Sequence, residues 1–184
     1  MIDPARLLDE ARRELGRLVP LLEVLTGDLD AATARTRPAP DEWAPIEILC
    51  HLRDEECEDF GARLRVVLDG GSAFVPIAPE RWVEERRYRE MEVTPTLDNL
   101  RGRRAESLAL LASISPERLR AAVVLPRLGP LSGLDLLAAW VAHDRLHLQQ
   151  LTGTLARLWA NRWAPLRVEY AGPIPYAPAD QGGV

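Results

Sequence analysis

Apolar residues recur along the N-terminal stretch at alternating spacings of three and four: Leu8, Ala11, Leu15, Leu18, Leu22, Leu25 and Leu29. That spacing lays one stripe of apolar side chains along an α-helix, the seam by which helices pack on one another. Asp3-Pro4 supplies the start, an N-cap residue followed by proline at the first helical position. Pro20 lies inside the seam, and its ring presses on the carbonyl of Gly16, so a kink is expected there. Gly27 is expected to end the regular helix.

Three more helical stretches follow. Pro45 suits a first turn, Ile46, Leu49, Cys50, Phe60, Leu64 and Val67 form an apolar face, and Gly70-Gly71 form the stop. Thr94-Pro95 opens a third helix carrying Leu97, Leu100, Leu108 and Leu111. Ser132 or Gly133 starts a fourth, running to about Ala160. Between them, residues 28–42 read as loop and residues 72–94 as a long connection with a short helix at 80–90. Residues 114–132 read as irregular, with 121–125 able to go extended. The fold class expected is all-α, a four-helix bundle over residues 1–163. The long second connection can travel back along the bundle, which gives an up-down-down-up order. The proline- and glycine-rich tail, residues 164–184, is expected to be extended or disordered beyond its first few residues.

Composition narrows the function. The 184 residues, 47% hydrophobic and 28% charged, are those of one soluble globular domain. A net charge of −5 offers no electrostatic footprint for nucleic acid. No apolar run reaches the ~18 residues of a membrane span. The first residues lack a basic region followed by an apolar stretch, so no signal peptide and a cytoplasmic location are expected. All 23 basic residues are arginine, which removes Schiff-base chemistry and the P-loop lysine from consideration. Cys50 and Cys57 lie about 10 Å apart in rise on one helix, too far for a mutual disulfide. Both read as small apolar residues.

The chemistry-bearing residues are the three histidines, His51, His143 and His147. His143 and His147 are four residues apart on one helical stretch, which puts both imidazoles on one face. His51 lies on another helix. Three neutral imidazoles converging from two helices can grip one divalent ion and leave a position open, as catalytic zinc sites do. Zinc is the foremost candidate, with nickel, iron and manganese as alternatives. At 100° per residue, Glu47 and Glu55 both fall within about 40° of His51, and either can serve as fourth ligand, second shell or general base. Gln150 lies within about 20° of His143 and is placed to hydrogen-bond a metal-bound water or a substrate. Glu55 and Gln150 are therefore the catalytic candidates. Asp144 points about 100° away from His143 and does not read as a ligand. Arg101 and Arg104 fall among the leucines of the third helix. Arg104 is expected to pair with an interior carboxylate such as Glu55 or, with Arg101, to receive a substrate anion.

The segment Arg37-Pro-Ala-Pro-Asp-Glu-Trp-Ala-Pro-Ile-Glu-Ile-Leu-Cys-His-Leu52 resembles the helix-two motif of the DinB-like (YfiT-like) family. Ala-His-Asp-Arg-Leu-His-Leu-Gln-Gln150 is similar to that family's helix-four motif, His-x-x-x-His-x-x-Gln. The resemblance reaches to about residue 160. It implies an up-down-down-up bundle, a metal site on His51, His143 and His147, and frequent homodimers. It also implies metal-dependent transfer of a low-molecular-weight thiol (bacillithiol, mycothiol or glutathione) to a small-molecule substrate. Isomerases and proposed hydrolases also occur in such a family. Two other functions compete, a metal-binding stress-associated protein without turnover and a helical dimerisation module. An open coordination position beside a pocket favours the enzyme.

Overall fold

A computed structural model describes residues 2–126 and 129–174. Asp3 caps α1 (Pro4–Leu15), accepting from the Ala5 N–H at 3.0 Å. The disturbance expected at Pro20 is a full break. Proline has no N–H for the Gly16 carbonyl, so the chain turns at Gly16–Arg17 before α2 (Leu18–Thr26) resumes. Gly27 ends α2. Residues 28–42, expected as loop, contain α3 (Ala31–Arg35), because Asp30 accepts the Thr33 N–H at 2.7 Å and starts a turn without any periodicity.

The second helix of the bundle is interrupted. α4 (Pro45–Glu55) and α5 (Gly61–Leu68) are joined by a π-helical turn over Glu56–Phe60. The Gly61 N–H bonds to the Glu56 carbonyl, five residues back. A Cβ at position 61 would stand 2.8 Å from that oxygen, so glycine lets the wider turn close. The helix ends where Gly71 N–H bonds to Val66 O at 2.8 Å and Gly70 N–H to Val67 O at 3.2 Å, with Gly70 at φ +72°.

The connection that follows carries α6 (Pro79–Glu85) and a 3₁₀ turn at Tyr88–Glu90 before α7 (Val93–Ser113). It is pinned to α4 by one carboxylate. Asp54, buried, accepts from Arg53 at 2.7 Å, Arg86 at 2.7 Å, the Tyr88 hydroxyl at 2.8 Å and Arg103 at 3.2 Å. After α7 the chain forms a hairpin, β1 (Ala122–Leu125) antiparallel to β2 (Gly129–Ser132), in register Ala122 with Ser132. Ser132 and Asp135 then cap α8 (Gly133–Arg162) reciprocally.

Two apolar clusters fix the helix order. One gathers Leu18 and Leu22, Ile46 and Leu49, Leu97 and Leu100, and Leu151 and Leu155. The other gathers Leu8 and Leu15, Leu64, Leu111 and Ile114, and Leu137 and Trp140. The first bundle helix (α1–α2) and the last (α8) run from the second cluster to the first. The α4–α5 helix and α7 run the opposite way, so the bundle is up-down-down-up. The hairpin closes a third, small cluster with Val67, Val123 and Leu136. No described helix is long and apolar enough to cross a membrane. The tail, expected to be extended or disordered, carries a 3₁₀ turn at Glu169–Ala171, and residues 175–184 lie outside the described residues.

Candidate metal centre

His51 sits two turns into α4 and is buried, while His143 and His147 project from the middle of α8, partly buried. The Nε2 atom of His51 lies 3.3 Å from Nε2 of His143 and 3.0 Å from Nε2 of His147. Ligand nitrogens of all three fall within 4.8 Å of one another. A tetrahedral ion with metal–nitrogen bonds of about 2.0–2.1 Å has ligand–ligand edges of about 3.3–3.4 Å. The observed separations are close to those edges, so these residues fit a divalent ion. Burial and the neighbouring imidazoles push the His51 pKa down to about 3, and burial pushes that of His147 down to about 4. Both rings are neutral near pH 7, which is the ligating form.

The outer nitrogens are treated differently. Nδ1 of His147 lies 2.7 Å from Oε1 of Gln150. An amide oxygen only accepts, so Nδ1 carries the proton and Nε2 keeps its lone pair for a metal. Gln150, expected to meet a water or substrate, lies against the ring of His147. Nδ1 of His51 is buried without a protein partner among the described residues. The Trp43 ring lies 4.9 Å from the His51 ring and stacks nearly parallel to His147, at 9°.

One carboxylate enters the centre. Oε2 of Glu55 is 2.8 Å from Nε2 of His143 and 3.7 Å from Nε2 of His51. Burial pushes this carboxyl upward, but the hydrogen bond with His143, together with the neighbouring imidazoles, outweighs it and holds the pKa below its usual range. Glu47, equally eligible on a helical wheel, is absent from the centre. It lies in the first turn of α4 and reaches back to accept the Ala44 N–H at 2.7 Å, while Arg37 grips it at 2.8 and 2.5 Å.

The centre opens into a cavity of about 610 Å³. Its floor is the three histidines and Glu55. Trp43, Ile77, Ala78 and Pro79 form an apolar wall, and Glu80 and Arg81 stand at the mouth. A volume of this size takes a small molecule. Another cavity, about 440 Å³ and lined by Asp30, Thr33, Trp159 and Arg162 among others, lies away from the histidines. The sequence pattern did not single out the 77–81 wall, because it sits on a connection without periodicity.

Neither Arg101 nor Arg104 lines the histidine cavity. Arg104 is 3% exposed and pairs with Asp144 at 2.7 Å and Glu56 at 2.7 Å. It also donates to the Leu15 carbonyl at 2.9 Å. Its interior partners are therefore Asp144 and Glu56, with Glu55 left to the histidines. Arg101 is exposed and pairs with Glu23 and Asp98. The buried stripe of α7 is Leu97, Leu100, Arg104, Ser107 and Leu111, which leaves Arg101 on its flank. Asp144, the residue next to His143, turns from the side of the histidines into this core cluster.

The sequence matches the DinB superfamily over residues 8–151, and the chain belongs to that family. Among solved structures it resembles YfiT from Bacillus subtilis, with a TM-score of 0.74 and 17% identity over 83% of this chain and 87% of that one. That protein is described as a probable metal-dependent hydrolase with an unusual four-helix bundle topology. No curated protein sequence matches this chain.

Proposed function

We propose that this DinB-superfamily protein is a metal-dependent enzyme that joins a low-molecular-weight thiol to a small electrophile. His51, His143 and His147 hold a divalent ion, and Glu55 takes the proton of the thiol. One observation carries the reading: a convergent three-imidazole face with a carboxylate 2.8 Å from one ligand nitrogen, opening into a cavity of about 610 Å³. A divalent ion there supplies the positive charge that makes a sulfhydryl or a water acidic near pH 7. Three imidazoles suit zinc, and nickel, iron or manganese are the alternatives.

The chain's own residues supply the rest. Glu55 is ionised near neutrality, so it accepts a proton and does not deliver one. The sulfur–carbon bond forms as the bond from carbon to its leaving group breaks, the leaving group departing as an anion. Gln150 fixes the tautomer of His147. Trp43 and the 77–79 wall give the electrophile an apolar surface.

The same atoms serve hydrolysis if the proton comes from water, and the fold likeness to a protein described as a probable hydrolase supports that second reading. The test is conjugation of glutathione, bacillithiol or mycothiol to 1-chloro-2,4-dinitrobenzene by metal-loaded protein. Turnover should require both metal and thiol, and Glu55→Gln should lose it while retaining the metal. Consumption of an ester in buffer without thiol would shift the assignment to hydrolysis. Full activity after chelation would remove both readings.

A further inference from the structure

The two arginines that the sequence offered as anion receptors are committed elsewhere, Arg104 to the core and Arg101 to the flank of α7. A different arginine stands at the mouth of the metal cavity. Among the described residues that line it, Arg81 is the single arginine. We propose that Arg81 is a specificity-determining residue that receives a carboxylate, or a group of like charge and shape, at the end of the substrate remote from the metal. This inference rests on reading the three histidines as a metal centre.

The placement of Arg81 supports this role. Its base is fixed, because α6 is anchored by buried Trp82 and Val83. Arg86, one turn further on, lies 4.0 Å from the Trp82 ring and is tied to Asp54 and Glu58 at 2.7 Å each. The head of Arg81 is exposed, and its ion pair with Glu85, at 2.6 Å, uses Nη2 alone. A guanidinium has five donors in a fork that matches a carboxylate. The same cavity is lined by the three histidines and by Trp43, Ile77, Ala78 and Pro79. It therefore offers a place for a metal-seeking group at the histidines, apolar surface, and an exposed guanidinium beside a carboxylate. Glu80 stands beside Arg81 and argues for an ammonium instead. Net charge does not separate the two, since Glu80 and Glu85 both stand near Arg81. What favours the anion is the set of guanidinium donors that the Glu85 pair leaves free, which only an acceptor such as a carboxylate can meet. The matched amines below carry the Glu80 alternative.

The occupant with matching chemistry has a metal-binding atom at one end, an apolar spacer, and an anionic group at the other. Cobalt(II) is the probe for the metal, since a coordinated thiolate adds an absorption band. The cobalt-loaded protein is titrated with 3-mercaptopropionate and 6-mercaptohexanoate. The matched alcohols are 3-mercaptopropanol and 6-mercaptohexanol, and the matched amines 3-aminopropanethiol and 6-aminohexanethiol. At low salt one of the two acids should bind about three- to fivefold more tightly than its alcohol, the advantage expected of a partly exposed ion pair. The variant Arg81→Ala should lose that advantage while taking up cobalt and binding the alcohol as before. The variant Arg81→Glu should prefer the amine. Equal affinity for acid and alcohol at both lengths, a preference unmoved by Arg81→Ala, or a wild-type preference for the amine would each overturn the inference while leaving the metal centre standing. Failure of the wild-type protein to take up cobalt is a different result, and it overturns the metal reading along with the inference built on it.

Discussion

Replacing Arg104 by methionine strands two buried acids. In the wild-type protein its guanidinium lies 2.7 Å from both Asp144 and Glu56, and all three side chains are buried. Burial raises the pKa of both carboxyls, and Arg104 opposes the rise. Removing one partner of a buried ion pair costs about 3–5 kcal/mol, because the charges left behind lose their compensation. For a domain of this size each kcal/mol moves Tm by about 2–4 °C, so the variant should melt about 6–20 °C lower. The loss should depend on pH. Without arginine, the folded pKa values of Asp144 and Glu56 rise further above the unfolded values near 4. Stability is then complete below the unfolded pKa and is lost as pH climbs through the folded ones. Urea unfolding of metal-free protein, followed by circular dichroism at pH 4.5 and 7, measures this. The deficit of Arg104→Met should be largest at pH 7 and shrink at pH 4.5. The triple variant Arg104→Met, Asp144→Leu, Glu56→Gln should recover most of it. A cost below about 1 kcal/mol at pH 7, or one identical at both pH values, would refute the reasoning.

Three other outcomes follow from the same geometry. Gln150→Ala should weaken zinc binding about 10- to 100-fold in a chelator competition, because Nδ1 of His147 loses the partner that fixes its tautomer; unchanged affinity would exclude that role. Asp59 is pushed up to about 6, chiefly by burial and also by Glu55, against Arg63 and His143. Its ionisation therefore costs the folded state nothing below pH 4 and most above pH 6, and Asp59→Asn should gain on wild type by up to about 3 kcal/mol between those values, whereas a constant difference in urea unfolding would contradict it. Gly61→Ala sets a Cβ 2.8 Å from the Glu56 carbonyl and should cost about 1–3 kcal/mol, read as a lower Tm; an unshifted Tm would mean that the π turn tolerates the methyl.

The sequence disclosed the bundle because a helix seam is written in spacing alone. The seven apolar residues from Leu8 to Leu29 need no knowledge of their partners to be read. The histidine pair was legible for the same reason, as a spacing of four is a face. Other features depend on which neighbour wins. Glu47 and Glu55 are equivalent on a helical wheel, and only the helix N-terminus beside Glu47, with Arg37, separates them. On α7 the spacing placed Arg104 rightly on the buried stripe and Arg101 wrongly, because the stripe continues through Ser107, which hydropathy does not mark, and leaves Arg101 on its flank. The π turn adds one residue to a single turn of helix and leaves the surrounding apolar pattern intact, so periodicity carries little trace of it. The cavity wall at 77–81 comes from a connection held by Asp54, Arg86 and Tyr88, contacts made across 32 and 34 residues of chain.

The central claim is that His51, His143 and His147 bind one metal ion together. X-ray absorption at the zinc edge, on protein loaded at one equivalent, tests it most directly. The account predicts three imidazole nitrogens at about 2.0–2.1 Å, a remaining lighter donor and no protein sulfur, with tight binding lost in His147→Ala while most helicity is retained. Cysteine sulfur in the first shell, or uptake unaffected by His147→Ala, would contradict it.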